Sequence, residues 1–142
     1  MFDQWQQTVP ANTAEADSLK VKLTISPGIL RAIYLYFPAG VQQLAKCRVF
    51  LGVKPIVPRS AGRFVTGEDV LIPVTNMTEN ISENIPELTW ELWNEDDTYD
   101  HTLWLNAEWI TAEEAETQLS LFQRMTAALE TFVNMVTGGG PA

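Results

Sequence analysis

The residues with chemical potential are concentrated in one stretch, WNEDDTYDHTLWLNAEW, from Trp93 to Trp109. It holds three of the five tryptophans, the only histidine, and four acidic residues within six positions. Asp96, Asp97, Asp100 and His101 offer ligands for a calcium-like ion. The spacing, however, lacks the alternating ligands and the glycine of an EF-hand loop. Aspartate is also a common turn residue, because it hydrogen-bonds its own backbone. A His–Asp pair serves catalysis only beside a nucleophile, and no G-x-S-x-G or comparable motif occurs. Paired-carboxylate hydrolysis has many carboxylates to draw on, but nothing singles out two of them. Cys47, the one cysteine, lies in the strand-like run LAKCRVFL, the setting of a buried, inert thiol. The expectation is a protein that is not an enzyme, with no catalytic, cofactor-binding or metal-ligating residues.

The elements that carry this stretch follow from periodicity. Residues 87–94 and 101–110 alternate as two strands around the acidic turn. If Asn94 faces His101 in a hairpin, Leu92 meets Leu103, Trp90 meets Leu105 and Leu88 meets Ala107, giving one apolar face. Trp93 and Trp104 then lie diagonally on the opposite face. Three fates are open to them: cover within the subunit by the C-terminal helix or by the N-terminal arm with its Trp5, a subunit interface, or a stacking platform for a sugar ring.

Further strands are expected at 19–25, 29–37, 44–53 and 70–74, the last at an edge because of Pro73. Residues 54–69, with two prolines and two glycines, read as a long loop with one short edge strand, and TNMTENISENIP as a polar connection. Residues 1–18 read as a polar N-terminal arm reaching a neighbour, with no secretion signal. Short strands at this spacing favour an antiparallel β-sandwich, jelly-roll-like, over 19–110. The period then changes. Leu119, Phe122, Met125, Leu129, Phe132, Val133 and Val136 recur at three- and four-residue steps, which predicts an amphipathic helix over 111–136. Thr111 and Glu114 form a capping box, and TGGGPA, a glycine-rich tail at 137–142, stops the helix. This helix packs on its own sandwich or bundles with copies of itself, since the spacing also fits a coiled-coil seam.

At 142 residues the chain is long enough for one domain with a core of its own. No apolar run reaches the ~20 residues of a membrane span. The net charge of −9 disfavours binding to nucleic-acid phosphates. Residues 1–63 hold eight basic and three acidic residues, a balance of +5, and residues 64–142 one basic and fifteen acidic, a balance of −14. Either acidic loops solvate the C-terminal part, or the two halves meet between subunits and steer head-to-tail assembly.

Three stretches, PANTAEADSLKVKLTISPGILRAIYLYFPAG, LAKCRVFLGVKPIVP and WNEDDTYDHTLWL, resemble a family of small, mostly uncharacterised proteins of tailed-phage, prophage and related viral genomes. The similarity covers roughly residues 9–110 and leaves out the C-terminal helix and tail. It implies a virion component, made in the host cytoplasm, and no catalytic residues. The expected role is a capsid decoration or cement protein acting as a homo-oligomer, with copies of itself and a major capsid or other virion protein as partners, and neither nucleic acid nor membrane. A neck, tail or fibre-base component and a carbohydrate- or receptor-binding module are the alternatives. The expected contact residues are Trp5, Trp93, Trp104, Phe122, Leu129 and Phe132.

Overall fold

The computed structural model describes residues 1–82 and 87–138. The last four residues of the glycine-rich tail therefore lie outside the described residues. Ten strands form two antiparallel sheets packed face to face, followed by one helix. The strands are β1 (Phe2–Val9), β2 (Leu19–Thr24), β3 (Gly28–Phe37), β4 (Ala45–Leu51), β5 (Lys54–Val57), β6 (Val65–Thr66), β7 (Val70–Val74), β8 (Glu79–Ile81), β9 (Glu87–Asn94) and β10 (His101–Thr111). The helix, α1, is Ala112–Thr137.

The first sheet runs β1-β10-β3-β7, with β8 also on β3, and the second runs β2-β9-β4-β5, with β6 also on β4. Consecutive strands β1 and β2, β3 and β4, and β9 and β10 alternate between the sheets. This is the strand order of a jelly roll, two interlocked Greek keys. It corrects the expected hairpin. β9 and β10 do not pair: β9 lies between β2 and β4, and β10 between β1 and β3. The expected apolar faces are real, but Leu88, Trp90 and Leu92 meet Leu103, Leu105 and Ala107 across the core rather than along one sheet, and all six are buried.

Alternation explains most of the core. In β4, Ala45, Cys47, Val49 and Leu51 point inward while Lys46, Arg48 and Phe50 stay half-buried outside. In β3 the alternation slips. Ala32 pairs with Glu108 and Leu30 with Trp109, so Arg31 is an extra residue, a β-bulge. The bulge turns Leu30 into the core, where strict alternation back from Ile33 would place Arg31, and leaves Arg31 exposed.

The expected arm is a strand for its first half. Phe2–Val9 pairs along its whole length with β10, with Trp5 opposite Leu105. The long 54–69 loop contributes β5, at the edge beside β4, and the two-residue β6. Pro73 sits at a sheet edge, as a residue with no N–H to donate requires.

Candidate functional site

The acidic turn after β9 is the crossing point between the sheets, and its polar groups are turned on the chain itself. Asn94 is fully buried. Its amide nitrogen donates to the carbonyls of Val9 (3.1 Å) and Tyr99 (2.9 Å), and its Oδ1 accepts from the Asp96 N–H at 2.9 Å. Asp96 Oδ1 accepts from the N–H groups of Thr98 (2.9 Å) and Tyr99 (3.2 Å), while Oδ2 lies 2.8 Å from His101 Nε2. The Thr98 N–H, then the His101 ring, hold the Asp96 carboxyl below the ordinary carboxylate value, against a smaller opposing effect of burial.

The PANT segment closes over the turn. Thr13 exchanges both backbone hydrogen bonds with Asn94, and Asn12 N–H donates to Asp96 O at 2.8 Å. Asp100 Oδ1 accepts from the Ala11 N–H at 2.9 Å, and the Asn12 amide donates to Asp97 O at 3.3 Å. Two of the three stretches that carried the family resemblance are thus halves of one hydrogen-bonded lock at the end of the sandwich. Its aspartates are held by the chain's own donors: backbone N–H groups at Asp96 and Asp100, the His101 ring at Asp96 and the Thr98 hydroxyl at Asp97. Among the described residues no group of three or more His, Cys, Asp or Glu converges to hold a metal.

The tryptophans separate. Trp93 is on the outer side of the second sheet and is wholly buried, at 0% exposure. The segment before β6 folds over it: the Phe64 ring stands edge-on at 5.7 Å, and the Arg48 guanidinium lies 5.0 Å from the indole. Neither α1 nor Trp5 is the cover. Arg48 in turn bonds both Glu91 carboxylate oxygens, at 2.9 and 3.0 Å, and Ser18 Oγ donates to the same carboxylate at 2.6 Å. Burial alone would raise the Glu91 carboxyl; the Arg48 and Ser18 hydrogen bonds outweigh it, and the net shift is downward. Cys47 is fully buried, and burial pushes its thiol up to about 12, the state of an unreactive core residue.

Trp5 points inward and packs half-buried against the core. Trp93, wholly buried, offers no surface to another molecule, and Trp93 and Trp104 lie on opposite sheets, so they form no joint platform. Trp104 is the exception. It is half-buried on the outer side of the first sheet, with Tyr36 beside it at 5.7 Å and Gln6 accepting its indole N–H at 3.1 Å.

The helix residues behave differently. Phe122, Leu129 and Phe132 are 66%, 62% and 62% exposed. No residue of α1 is buried, although its ends are formed as expected: Thr111 and Glu114 make the reciprocal capping box, and Gly138 takes the left-handed conformation at φ 66°. At 1.5 Å per residue, the helix extends about 39 Å. Leu119, Leu121, Met125, Val133, Met135 and Val136 are exposed with the three named residues. At ~100° per residue the large side chains from Leu119 round to Leu121 cover an arc of roughly 160°. No helix among the described residues is long and apolar enough to cross a membrane.

Part of the charge asymmetry is met inside the chain. Among the described residues, Lys22, Lys46, Arg48, Lys54 and Arg59 pair with Glu87, Glu95, Glu91 and Glu79, each a basic residue of the first half on an acidic residue of the second. The halves meet within one sandwich, which the sequence had left open as a contact between subunits. Compared with known protein families and with curated proteins, the chain matches none.

Proposed function

We propose that this protein is a structural component of a virus particle, a capsid decoration or cement protein that works as a homo-oligomer. The observation that carries the homo-oligomer is α1: a capped helix of 26 residues, none buried, with an apolar stripe that the chain's own sandwich leaves uncovered. Exposing that many large apolar side chains is unfavourable in water, at roughly 25 cal/mol per Å² of apolar surface, and a helix-on-helix contact removes the cost. The jelly roll supplies a rigid body that needs no staple. The particle itself rests on the resemblance of residues 9–110 to viral proteins, and this reading assigns the chain no catalytic role. A sugar platform built on Trp93 and Trp104 has no support, because the two indoles lie on opposite sheets.

The first test of oligomerisation is the mass in solution of Leu129→Glu/Phe132→Glu beside the parent protein. We expect the parent to be an oligomer and the variant a folded monomer, since each charge would sit in the seam without a partner. A monomeric parent defeats the homo-oligomer. Quantitative mass spectrometry of purified particles tests the location. Copies in numbers comparable to the major capsid protein are expected; a few dozen or fewer would move the protein to a vertex, neck or tail, and absence would defeat the virion reading.

A further inference from the structure

The apolar stripe of α1 does not begin in solvent. Ala115, Phe122, Leu129 and Val136 are spaced by seven, as are Gln118, Met125 and Phe132, so all seven occupy the a and d positions of one heptad seam. The first pair of that seam rests on the sandwich. Ala115 is the half-buried residue of the helix, and Gln118 Oε1 accepts from Arg31, the bulge residue of β3, at 3.2 Å. Beside them a cleft lined by Arg31, Tyr34, Glu108 and Gln118 leads onto the outer face of the first sheet. The side of the helix that carries the seam is therefore the side turned toward that face.

The face is aromatic, and its charges, Glu108 opposite Phe2 and the Arg31 bulge, lie at the end beside Gln118 of α1. Strand register lines up Gln6, Trp104, Tyr36 and Leu71 across β1, β10, β3 and β7, and places Gln4, Asn106, Tyr34 and Pro73 in the neighbouring row. Phe2 stands 6.5 Å from Tyr34, and Phe2, Tyr36 and Leu71 are exposed. Nothing in either row repels a copy of itself.

We infer that the seam of α1 and the Phe2–Tyr34–Tyr36–Leu71–Trp104 face form one continuous surface, and that its occupant is a second copy of this chain with its helix parallel to the first. This rests on the self-association proposed above and adds its polarity and its extent. Area supports the extent. A helix face about 39 Å long and ~10 Å wide offers roughly 400 Å². Four strands at ~4.8 Å spacing, over two to three side-chain rows, offer roughly 300 Å² more. Only together do they approach the ~800 Å² per partner of a stable complex. The polarity follows from the absence of a linker. Thr111 ends β10 and caps α1, so the sandwich stands at the helix's N-terminal end. Parallel helices bring the sandwich faces together, whereas antiparallel helices would carry them to opposite ends and leave the aromatic face bare.

Cysteine cross-linking of the full chain separates these arrangements. Cys47 is buried with its thiol pushed up to about 12, so it forms a silent background. Met125→Cys, near the middle of α1, joins to its own copy in either polarity; Val136→Cys, near the end, joins only in a parallel pair. We expect a bismaleimide to cross-link both variants. Cross-linking of Met125→Cys alone would overturn the parallel arrangement. In sedimentation equilibrium, Tyr36→Glu/Leu71→Glu is expected to weaken association about tenfold or more, with an unchanged circular dichroism spectrum. An unchanged dissociation constant would exclude the sheet from the contact even if Leu129→Glu/Phe132→Glu abolishes it. Self-association insensitive to the helix substitutions as well would overturn the seam itself.

Discussion

Asn94 bonds three separate groups in the turn that carries the chain from one sheet to the other. Its amide reaches Val9 at the end of β1 and Tyr99 beyond the turn, and its carbonyl oxygen anchors Asp96. Asn94→Ala would remove the side-chain partner of the buried Val9 carbonyl, the part-buried Tyr99 carbonyl and the Asp96 N–H, and we expect it to cost about 2–3 kcal/mol in urea denaturation. The acid dependence is argued at the neighbouring carboxylates. Asp96 and Glu91 both have folded values held below their ordinary ones, near 3.8 and 4.5. A depressed carboxylate contributes stability that is complete above its unfolded value and is lost as pH falls through its folded value. The urea midpoint should therefore hold steady down to about pH 5 and fall below about pH 4. Asp96→Asn should flatten that fall; an unchanged slope would remove Asp96 as a contributor. The turn's aspartates were legible as backbone binders because of their type, but the PANT segment that they bind lies more than eighty residues away in sequence.

The elements differ in how plainly they announce themselves. β2, β4 and α1 each show a clean period, and each appears where the pattern places it. β1 does not: its inward positions are Trp5, Gln7 and Val9, and the glutamine in the middle breaks the alternation. Its identity as a strand comes from eight consecutive pairings with β10, which no local pattern records. The bulge at Arg31 is similarly silent, because a bulge is a property of two strands. Gly28 marks the junction of these elements. It pairs with Thr111, and a Cβ there would lie 1.9 Å from the Ile110 carbonyl oxygen and 2.9 Å from Thr111 Cα. Gly28→Ala must push β3 and β10 apart at the root of α1. We expect a loss of about 1–3 kcal/mol, measured by thermal or urea unfolding.

For the molecule as a whole, the contrast is between a sandwich that packs on itself and a helix that does not. The sandwich buries Trp90, Trp93 and Trp109 and pairs five of its basic residues with four carboxylates of the second half. The helix and the aromatic sheet face present apolar surface instead. Association through them should respond weakly to salt, because screening acts on charges and not on apolar burial. We expect the sedimentation mass to be kept between 0.1 and about 1 M sodium chloride, where the Debye length falls from ~10 to ~3 Å. Dissociation at high salt would return the contact to the charged halves.

The amino-acid sequence by itself determined the inward residues of β2, β4, β9 and β10, where the helix starts and stops, and that it carries an apolar stripe. These are consequences of periods of two and 3.6 residues and of caps that act over three or four positions. Only the tertiary structure decided which strands pair. An arch between two sheets and a hairpin within one present the same inward residues, so Leu88, Trp90 and Leu92 fit both, and the choice depends on β2 and β4 claiming β9 while β1 and β3 claim β10. The cover of Trp93 was decided at the same level. Phe64 lies almost thirty residues before it, and the β6–β4 pairing is what brings that ring onto the indole.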